Sequence, residues 1–532
     1  MSEAQWWQKG IFYQVYPRSF QDTDGDGVGD LDGIRQRLPY LADLGVDAVW
    51  ISPIYPSPMA DFGYDVADYC GVHPIFGDLS AFDRLVAEAH GLGLKVVLDF
   101  VPNHSSAQHP WFLESRSSRS NPKRDWYIWH DPAPDGGPPN NWISNFGGPA
   151  WSLDPASGQY YYHAFLREQP DLNWRNPQVR AAMHEVLRFW LKRGVDGFRV
   201  DVIWHLMKDP QFRDDPLNPA YRPGEPEVAR LLQTRSTDQP DVHEIIAGLR
   251  AVLEEYGDRV LIGEIYLPVE RLVTYYGENL GGAHLPFNFQ LLHASWGAPA
   301  LARLIEEYEG ALPAGGWPNW VLGNHDRPRI ASRIGSERAR LAAMLLLSLR
   351  GTPTMYYGDE IGMENVPIPT DQAQDPWEKN EPGLGVGRDP ERTPMQWDGT
   401  ANAGFTTGRP WLPLARDHAT RNVAAQSADP HSLLTLYRRL IALRRTRPTL
   451  QLGSYLAVGT AGDVLIFIRE WQGERILVAL NLGSDPRGDI ALPAGETRGR
   501  ILISTELDRQ EPVQGGFWLR PHEGVIVALG EG

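Results

Sequence analysis

Cysteine is nearly absent: of 532 residues only Cys70 carries a thiol. A lone cysteine excludes an intrachain disulfide and any zinc cluster built on cysteine. Long apolar runs are missing as well. No stretch approaches the ~20 residues a membrane span needs. The opening MSEAQWWQKGIFYQVYP has no basic segment followed by an apolar one, so no secretory signal is expected and the expected address is the cytoplasm. Basic charge is in deficit, with 50 Lys and Arg against 67 Asp and Glu and a formal net charge of −17. Such a surface repels nucleic acid and anionic membranes and suits a small neutral partner, although acidic surfaces also serve solubility alone. There is no internal repeat or low-complexity tract. No G-x-G-x-x-G stands at the first strand–helix turn, which speaks against a dinucleotide fold. Nothing in the composition points to an oligomeric state.

What is present reads as a globular enzyme of about two to four domains. Short β-branched or aromatic runs at 11–16, 48–51, 95–100, 197–200 and 260–262 alternate with amphipathic segments. Among the latter are 79–92, with Leu79, Phe82, Leu85, Val86 and Ala89 on one stripe, and 177–193. In the second, Asn176 is placed to cap, Pro177 sits in the first turn, and Gly194 follows the end. Strand-like runs at 320–322 and 354–356, with a weaker one at 285–289, raise the count to eight. Eight strands alternating with helices predict an α/β fold, a (β/α)8 TIM barrel. Two regions break the alternation. Residues 103–171, rich in Trp, Pro, Asn, Gly and Ser, form a loop-rich insertion after strand 3, and from 450 to 532 short alternating runs predict a C-terminal antiparallel β-sandwich domain. The barrel then comprises 1–102 and 172–449.

In a parallel barrel the chemistry lies at the C-terminal ends of the strands. The third strand leads into VVLDFVPNH, with Asp99, Asn103 and His104; the fourth into GFRVDVIWH, with Arg199 and Asp201; the fifth into GEIY, with Glu264; the seventh into GNHDRPR, with His325 and Asp326. Arg199 and Asp201 are two apart on a strand and share a face. Three carboxylates converging from different strands, one beside an arginine, make a set suited to cleaving glycosidic bonds: an ionised nucleophile, a proton donor with a raised pKa, and a third acid that orients the sugar. Asp99 and Asn103 read better as structural residues of the barrel.

These strings resemble the four signature regions of the α-amylase family of glycoside hydrolases, in the family's order. QPDLNW, beginning at Gln169, and GTPTMYYGDEIG, beginning at Gly351, are similar to further family signatures, and the likeness runs from IFYQVYPRSF to RTPMQW. The resemblance implies a retaining mechanism: Asp201 as nucleophile, Glu264 as acid and base, and Asp326 gripping the ring hydroxyls, with His104, His325, Gln169 and Arg199 in the binding site. It needs no cofactor for catalysis, and the partner is a small neutral saccharide. The high content of Trp, Tyr and Phe supplies flat faces for sugar rings, though most such residues in any enzyme are core.

DFGYDVADY, at 61–69, is similar to the segment with which exo-acting members close a glucose pocket. On that likeness Tyr64 stacks on the glucose, while Asp61 and Arg388 bind the non-reducing-end hydroxyl. Val202, directly after the nucleophile, goes among close relatives with α-1,6 linkages, and Phe146 and Phe165 resemble aromatics that meet the leaving sugar. The implied activity is an oligo-1,6-glucosidase type of α-glucosidase. An α-1,4- or sucrose-preferring glucosidase and a transglucosylase or isomerase such as a trehalose synthase stay open. So does a non-enzymatic relative of the transporter heavy-chain kind, against which stand the retained acids and the missing span. Trp204 and Arg327 depart from the commonest pattern on the leaving-group side. DTDGDGVGD offers hard oxygen ligands at alternating positions. It is similar to a loop carrying one structural Ca²⁺ (or Mg²⁺) on Asp22, Asp24, Asp26, Asp30 and the Val28 carbonyl.

Overall fold

The structure is a computed structural model and describes residues 4–530. Eight parallel strands form one nearly closed sheet: β1 Phe12–Val15, β2 Ala48–Ile51, β3 Lys95–Phe100, β4 Gly197–Val200, β5 Val260–Gly263, β6 Leu285–Pro286, β7 Asn319–Val321 and β8 Thr352–Tyr356. Neighbours run in the order β7–β8–β1–β2–β3–β4–β5–β6. The strands are buried on both faces, as barrel strands must be. Their period of two divides the side chains between two cores. Phe12, Trp50, Val97, Ile262, Leu285 and Val321 meet in one cluster inside the barrel. Tyr13, Val49, Val96, Phe198, Leu261 and Trp320 join the larger core shared with the helices.

Most strands fall within two residues of the sequence reading. The exception is β6, read as 285–289 and observed as two residues. Pro286 has no N–H to give a ladder. The seam between β6 and β7 is closed instead by a side chain: the Asn319 amide nitrogen donates to the Pro286 carbonyl, and its Oδ1 accepts from the Asn288 N–H at 2.9 Å.

The outer layer holds α1 Leu31–Leu44, α2 Leu79–Gly91, α3 Pro177–Lys192, α4 Val242–Glu254, α5 Val269–Leu272, α6 Ala298–Ala311, α7 Ala339–Ser348 and α8 Leu433–Thr446. α3 forms as its sequence dictates. The Asn176 side chain accepts from the Gln178 N–H, Pro177 opens the helix, and Val179, Met183, Val186, Leu187 and Trp190 are buried on one stripe.

Between β3 and α3 the chain leaves the barrel. It forms a helix at Pro110–Ser117 and a three-stranded antiparallel sheet of Trp129–His130, Gln159–Tyr162 and Trp151–Asp154 around a small core containing Trp142, Trp151 and Tyr162. Bridges from His104 to Asp171 and from Tyr127 to Leu172 tie this excursion to the barrel mouth.

After α8 all eight remaining strands, between Ser454 and Leu529, are linked in one antiparallel sheet. The strands read as a sandwich are thus joined edge to edge in one hydrogen-bonded sheet. In Val464–Trp471 alternation again sorts the side chains: Val464, Ile466 and Ile468 enter a separate C-terminal core, whereas Leu465 and Phe467 join the main one. Among the described residues no helix is long and apolar enough to cross a membrane.

Candidate active site

β3 and β4 pair so that Asp99 lies directly across from Arg199. The Arg199 guanidinium is fully buried, and its Nη1 donates to Asp99 Oδ1 and Asp201 Oδ1, each at 2.8 Å. Nη2 lies 2.9 Å from Glu264 Oε2, out of line for a hydrogen bond. One cation therefore serves three buried carboxyls. Burial pushes Asp99 up to about 6 against the pull of Arg199. Burial and the neighbouring Glu264 raise Asp201, and burial with the charge of Asp326 raises Glu264, both against the pull of Arg199.

Glu264 is held from a second side by the backbone of Val202, whose N–H donates to Oε2 at 2.8 Å. That N–H is aimed by an unusual backbone. Val202 has φ 37° and ψ 47°, a left-handed conformation costly for a β-branched residue, about 1–3 kcal/mol.

Behind the acids a hydrogen-bond chain fixes the His325 tautomer. Gln14 Nε2 lies 2.7 Å from His325 Nδ1, so the proton sits on Nε2, 2.7 Å from the Tyr64 hydroxyl, which in turn donates to Asp99 Oδ2 at 3.1 Å. The Tyr64 and His325 rings are parallel, with centroids 5.4 Å apart. Burial holds His325 well below the usual histidine value and lowers His104 to about 3, so both rings are neutral.

Asp326 lies opposite. Its Oδ1 accepts from Arg392 at 2.9 Å and Arg388 at 3.2 Å. Burial alone would raise this carboxyl, but the guanidinium groups of Arg388 and Arg392 hold it below the carboxylate range. Arg388 also donates to Asp61 Oδ1 at 2.8 Å, and Gln169 Nε2 donates to Asp61 Oδ2 at 3.2 Å and lies 3.1 Å from His104 Nε2. Arg388 is only 6% exposed and is clamped by Asp375, which accepts from its Nη2 at 2.6 Å. It is thus no surface ion pair. Burial, partly offset by Arg388, pushes Asp61 up to about 6.

These groups open on a cavity of about 800 Å³. Asp201, Glu264 and Asp326 line it together, with Asp61, Tyr64, His104 and Arg388 around the same wall. Val202, Phe146 and Phe165 complete the residues read from sequence that reach it, whereas Arg199, His325 and Gln169 stand behind the wall and hold those that do. Trp204 and Arg327, noted as departures, both lie on the cavity wall, the Arg327 guanidinium 5.1 Å from the Tyr266 ring centroid. Sequence reading missed Gln14, Asp375 and Arg392, which orient the inner groups, and His205, Leu232, Tyr266 and Trp377 on the wall. Arg392 was legible: it stands in the same GRDPERTPMQW string as Arg388. Leu232 and Trp377 come from long connections with no periodic signal.

The acidic loop lies away from this cavity's wall. Carboxylate oxygens of Asp22, Asp24 and Asp30 lie within 4.8 Å of one another, while Asp26 stays outside that group and accepts from the Val28 N–H at 2.7 Å. Asp22 accepts from the N–H groups of Asp24, Gly25 and Gly27, and Asp30 caps α1 by accepting from Gly33. Gly27 has φ 93°, and a Cβ there would sit 1.9 Å from the Arg409 carbonyl, so the loop is packed tightly against that segment.

With this geometry in hand, residues 14–453 match the family model described as alpha amylase, catalytic domain. The chain belongs to the α-amylase family of glycoside hydrolases. Within it, the chain is similar to a "Probable alpha-glucosidase" of Rhizobium meliloti (strain 1021), at 42% identity over 97% of each chain, and to an oligo-1,6-glucosidase of Heyndrickxia coagulans, at 40% identity over 99% of this chain and 100% of the relative. Among solved structures it resembles an alpha-glucosyl transfer enzyme (TM-score 0.94, 42% identity, 99% of this chain and 100% of that one). It also resembles the trehalulose synthase from Pseudomonas mesoacidophila MX-45 (TM-score 0.90, 36% identity, the same coverage).

Proposed function

We propose that the chain is a retaining, exo-acting α-glucosidase that releases glucose from the non-reducing ends of short α-glucosides and favours α-1,6 linkages. The observation that carries the exo reading is the closure of the pocket by Asp61, Arg388 and Asp326, with Arg388 itself locked by Asp375. A wall of buried, mutually paired charges leaves room for one terminal sugar and offers its hydroxyls both donors and acceptors.

Asp201 Oδ1 is taken by Arg199, so Oδ2 attacks the anomeric carbon as the bond to the glycosidic oxygen breaks. Glu264 Oε2 is taken by the Val202 N–H, leaving Oε1 to deliver the proton to that departing oxygen. The free leaving sugar is then replaced by water, which Glu264 deprotonates as it attacks the glucosyl ester and frees Asp201. Ionised Asp326 binds ring hydroxyls and stabilises positive charge at the anomeric centre. The Val202 side chain lies on the cavity wall beside the acid, where its bulk bears on the angle of the leaving group.

A transfer reading stays in play because the cavity extends well beyond one glucose, giving an acceptor sugar room to remain. The deciding experiment is kcat/KM on isomaltose, maltose, sucrose and trehalose with products separated and Asp201→Asn as the inactive control. Isomaltose ahead with glucose alone released supports the proposal. Rearranged disaccharide, or maltose or sucrose ahead, overturns the hydrolytic or the linkage part of it.

The Asp22, Asp24 and Asp30 carboxylates fit a hard divalent cation, Ca²⁺ or Mg²⁺, which would bind there as a structural ion remote from the chemistry. Calorimetry tests it: added Ca²⁺ raises Tm in the wild type and not in Asp22→Asn; an equal response in both removes the site. A small neutral saccharide as partner and a cytoplasmic setting accord with the −17 charge and the lone cysteine.

A further inference from the structure

The segment that carries Asp61 and Tyr64 is bent into a turn that its sequence does not favour. The Tyr64 N–H donates to the Asp61 carbonyl at 3.0 Å, and both residues between them have positive φ, 46° at Phe62 and 107° at Gly63. Turns of that kind favour Asn, Asp or Gly at the first central position. A phenylalanine there strains the backbone, and such strain persists only where the surroundings over-determine it. The two ends of this turn, Asp61 and Tyr64, both line the catalytic cavity.

Arg18 supplies the constraint. It follows β1 at the barrel mouth, in the short turn Pro17–Ser19, and is only 8% exposed. Its guanidinium carbon lies 5.1 Å from the Phe62 ring centroid and 4.8 Å from that of Trp411, while the two rings are 5.4 Å apart. The three groups pack as one triangle. Trp411 is itself anchored: its indole N–H donates to Ser19 Oγ and its backbone N–H to the Gly27 carbonyl, each at 3.0 Å. Arg18 Nη1 also reaches the sulfur of Met59 at 3.7 Å, and Met59 has φ 66°. Two of the three contacts of this cation are thus left-handed residues of one short segment.

What Arg18 lacks is an acid. Among the described residues no carboxylate pairs with it, and its Nε is buried without a hydrogen-bond partner. An unpaired buried cation is costly, and a native exception calls for a reason. The planar, delocalised guanidinium suits aromatic faces, and here it holds two of them together. Arg18 does not line the cavity, so any effect on the sugar passes through Phe62.

We propose that Arg18 is a positioning residue for the glucose clamp: by seating the Phe62 ring against Trp411 it holds the left-handed turn whose ends present Asp61 and Tyr64 to the terminal sugar. This rests on the α-glucosidase reading and adds to it a group that sets the clamp without touching substrate.

The readout is how well the clamp selects the hydroxyl it grips: kcat/KM for 4-nitrophenyl α-D-glucopyranoside divided by kcat/KM for its 4-deoxy analogue. Arg18→Met keeps an unbranched stem and removes the guanidinium. The ratio is expected to fall about tenfold, the scale of one hydrogen bond, and to recover in part in Arg18→Lys. Lost stability alone lowers both rates together and leaves the ratio where it was. Phe62→Asn tolerates the left-handed turn but offers no ring, so adding Arg18→Met to it is expected to move the ratio less than twofold. A ratio within twofold of wild type in Arg18→Met overturns the proposal, and so does an equal fall in both backgrounds. Arg18→Gln, read against the same limits, serves if Arg18→Met does not fold. A wild type that cleaves neither glucoside sinks the α-glucosidase reading, and one that cleaves both equally sinks the clamp; this inference falls with either. A selective wild type with an unmoved ratio in the variants removes Arg18 alone.

Discussion

At the residue scale the proposed mechanism divides the labour of the acids by what already occupies their oxygens. Glu264 gives one oxygen to a backbone N–H and sits beside a guanidinium that is shared with two other carboxyls, so only its free oxygen can move a proton. Glu264→Gln keeps the shape and the N–H bond and removes the titration. Turnover of disaccharides is expected to fall by roughly 10²–10⁴, with circular dichroism and Tm near wild type; near-normal turnover would remove Glu264 as the acid. Val202 carries a different consequence, because the same residue fixes the acid and lines the cavity. Val202→Ala or Val202→Thr is expected to raise the maltose-to-isomaltose ratio of kcat/KM about tenfold, the scale of a lost or altered methyl in a pocket. An unchanged ratio would show that linkage choice lies elsewhere on the wall. The acids and Val202 were legible in the sequence because they stand directly after strands, where position and chemistry coincide. The left-handed turn at Val202 was not, because no propensity announces it for valine.

At the scale of elements, the barrel was legible wherever a strand is an unbroken β-branched or aromatic run, and it blurred where tertiary contacts replace local preference. β6 is the clear instance. Two residues, one a proline, make a strand only because β5 pairs on one side and Asn319 stitches the other. Truncating that amide leaves the buried Asn288 N–H and Pro286 carbonyl unpaired. Asn319→Ala is therefore expected to cost about 2–4 kcal/mol of stability in denaturant unfolding, and a loss under 0.5 kcal/mol would mean that water or backbone already closes the seam. The insertion blurred for the opposite reason. Its strands at Trp151–Asp154 and Gln159–Tyr162 are short and aromatic amid Gly, Pro and Asn, so composition read as loop while a small tryptophan core orders a sheet. In the acidic loop, tight packing against Arg409 demands a glycine at Gly27 with or without an ion.

For the whole molecule, two buried populations set the response to pH in opposite directions. Burial raises the carboxyls of Asp61 and Asp99 to about 6, Asp359 to about 7 and Glu391 to about 8. In the unfolded chain these groups titrate near 4, so between there and their folded values the native state holds the extra protons. Stability from this set accordingly rises as pH falls from about 8 toward about 4. Histidines act the other way. Burial lowers His104 and His284 to about 3 and His109 and His163 to about 4, and takes His205 and His325 well below the usual value. Unfolded histidines bind protons below about 6.5 that these six refuse, so stability from this set drops as pH falls through that value. The two sets oppose one another below about pH 6.5, so the histidine share is isolated by a difference between variants in Tm measured by calorimetry across about pH 5 to 8. His284 accepts from the Leu261 N–H through Nδ1, so His284→Gln, with an acceptor that does not titrate, should flatten the acid limb relative to wild type even where it lowers Tm throughout. An acid limb of unchanged slope in that variant would mean that His284 does not contribute to the acid response of this barrel.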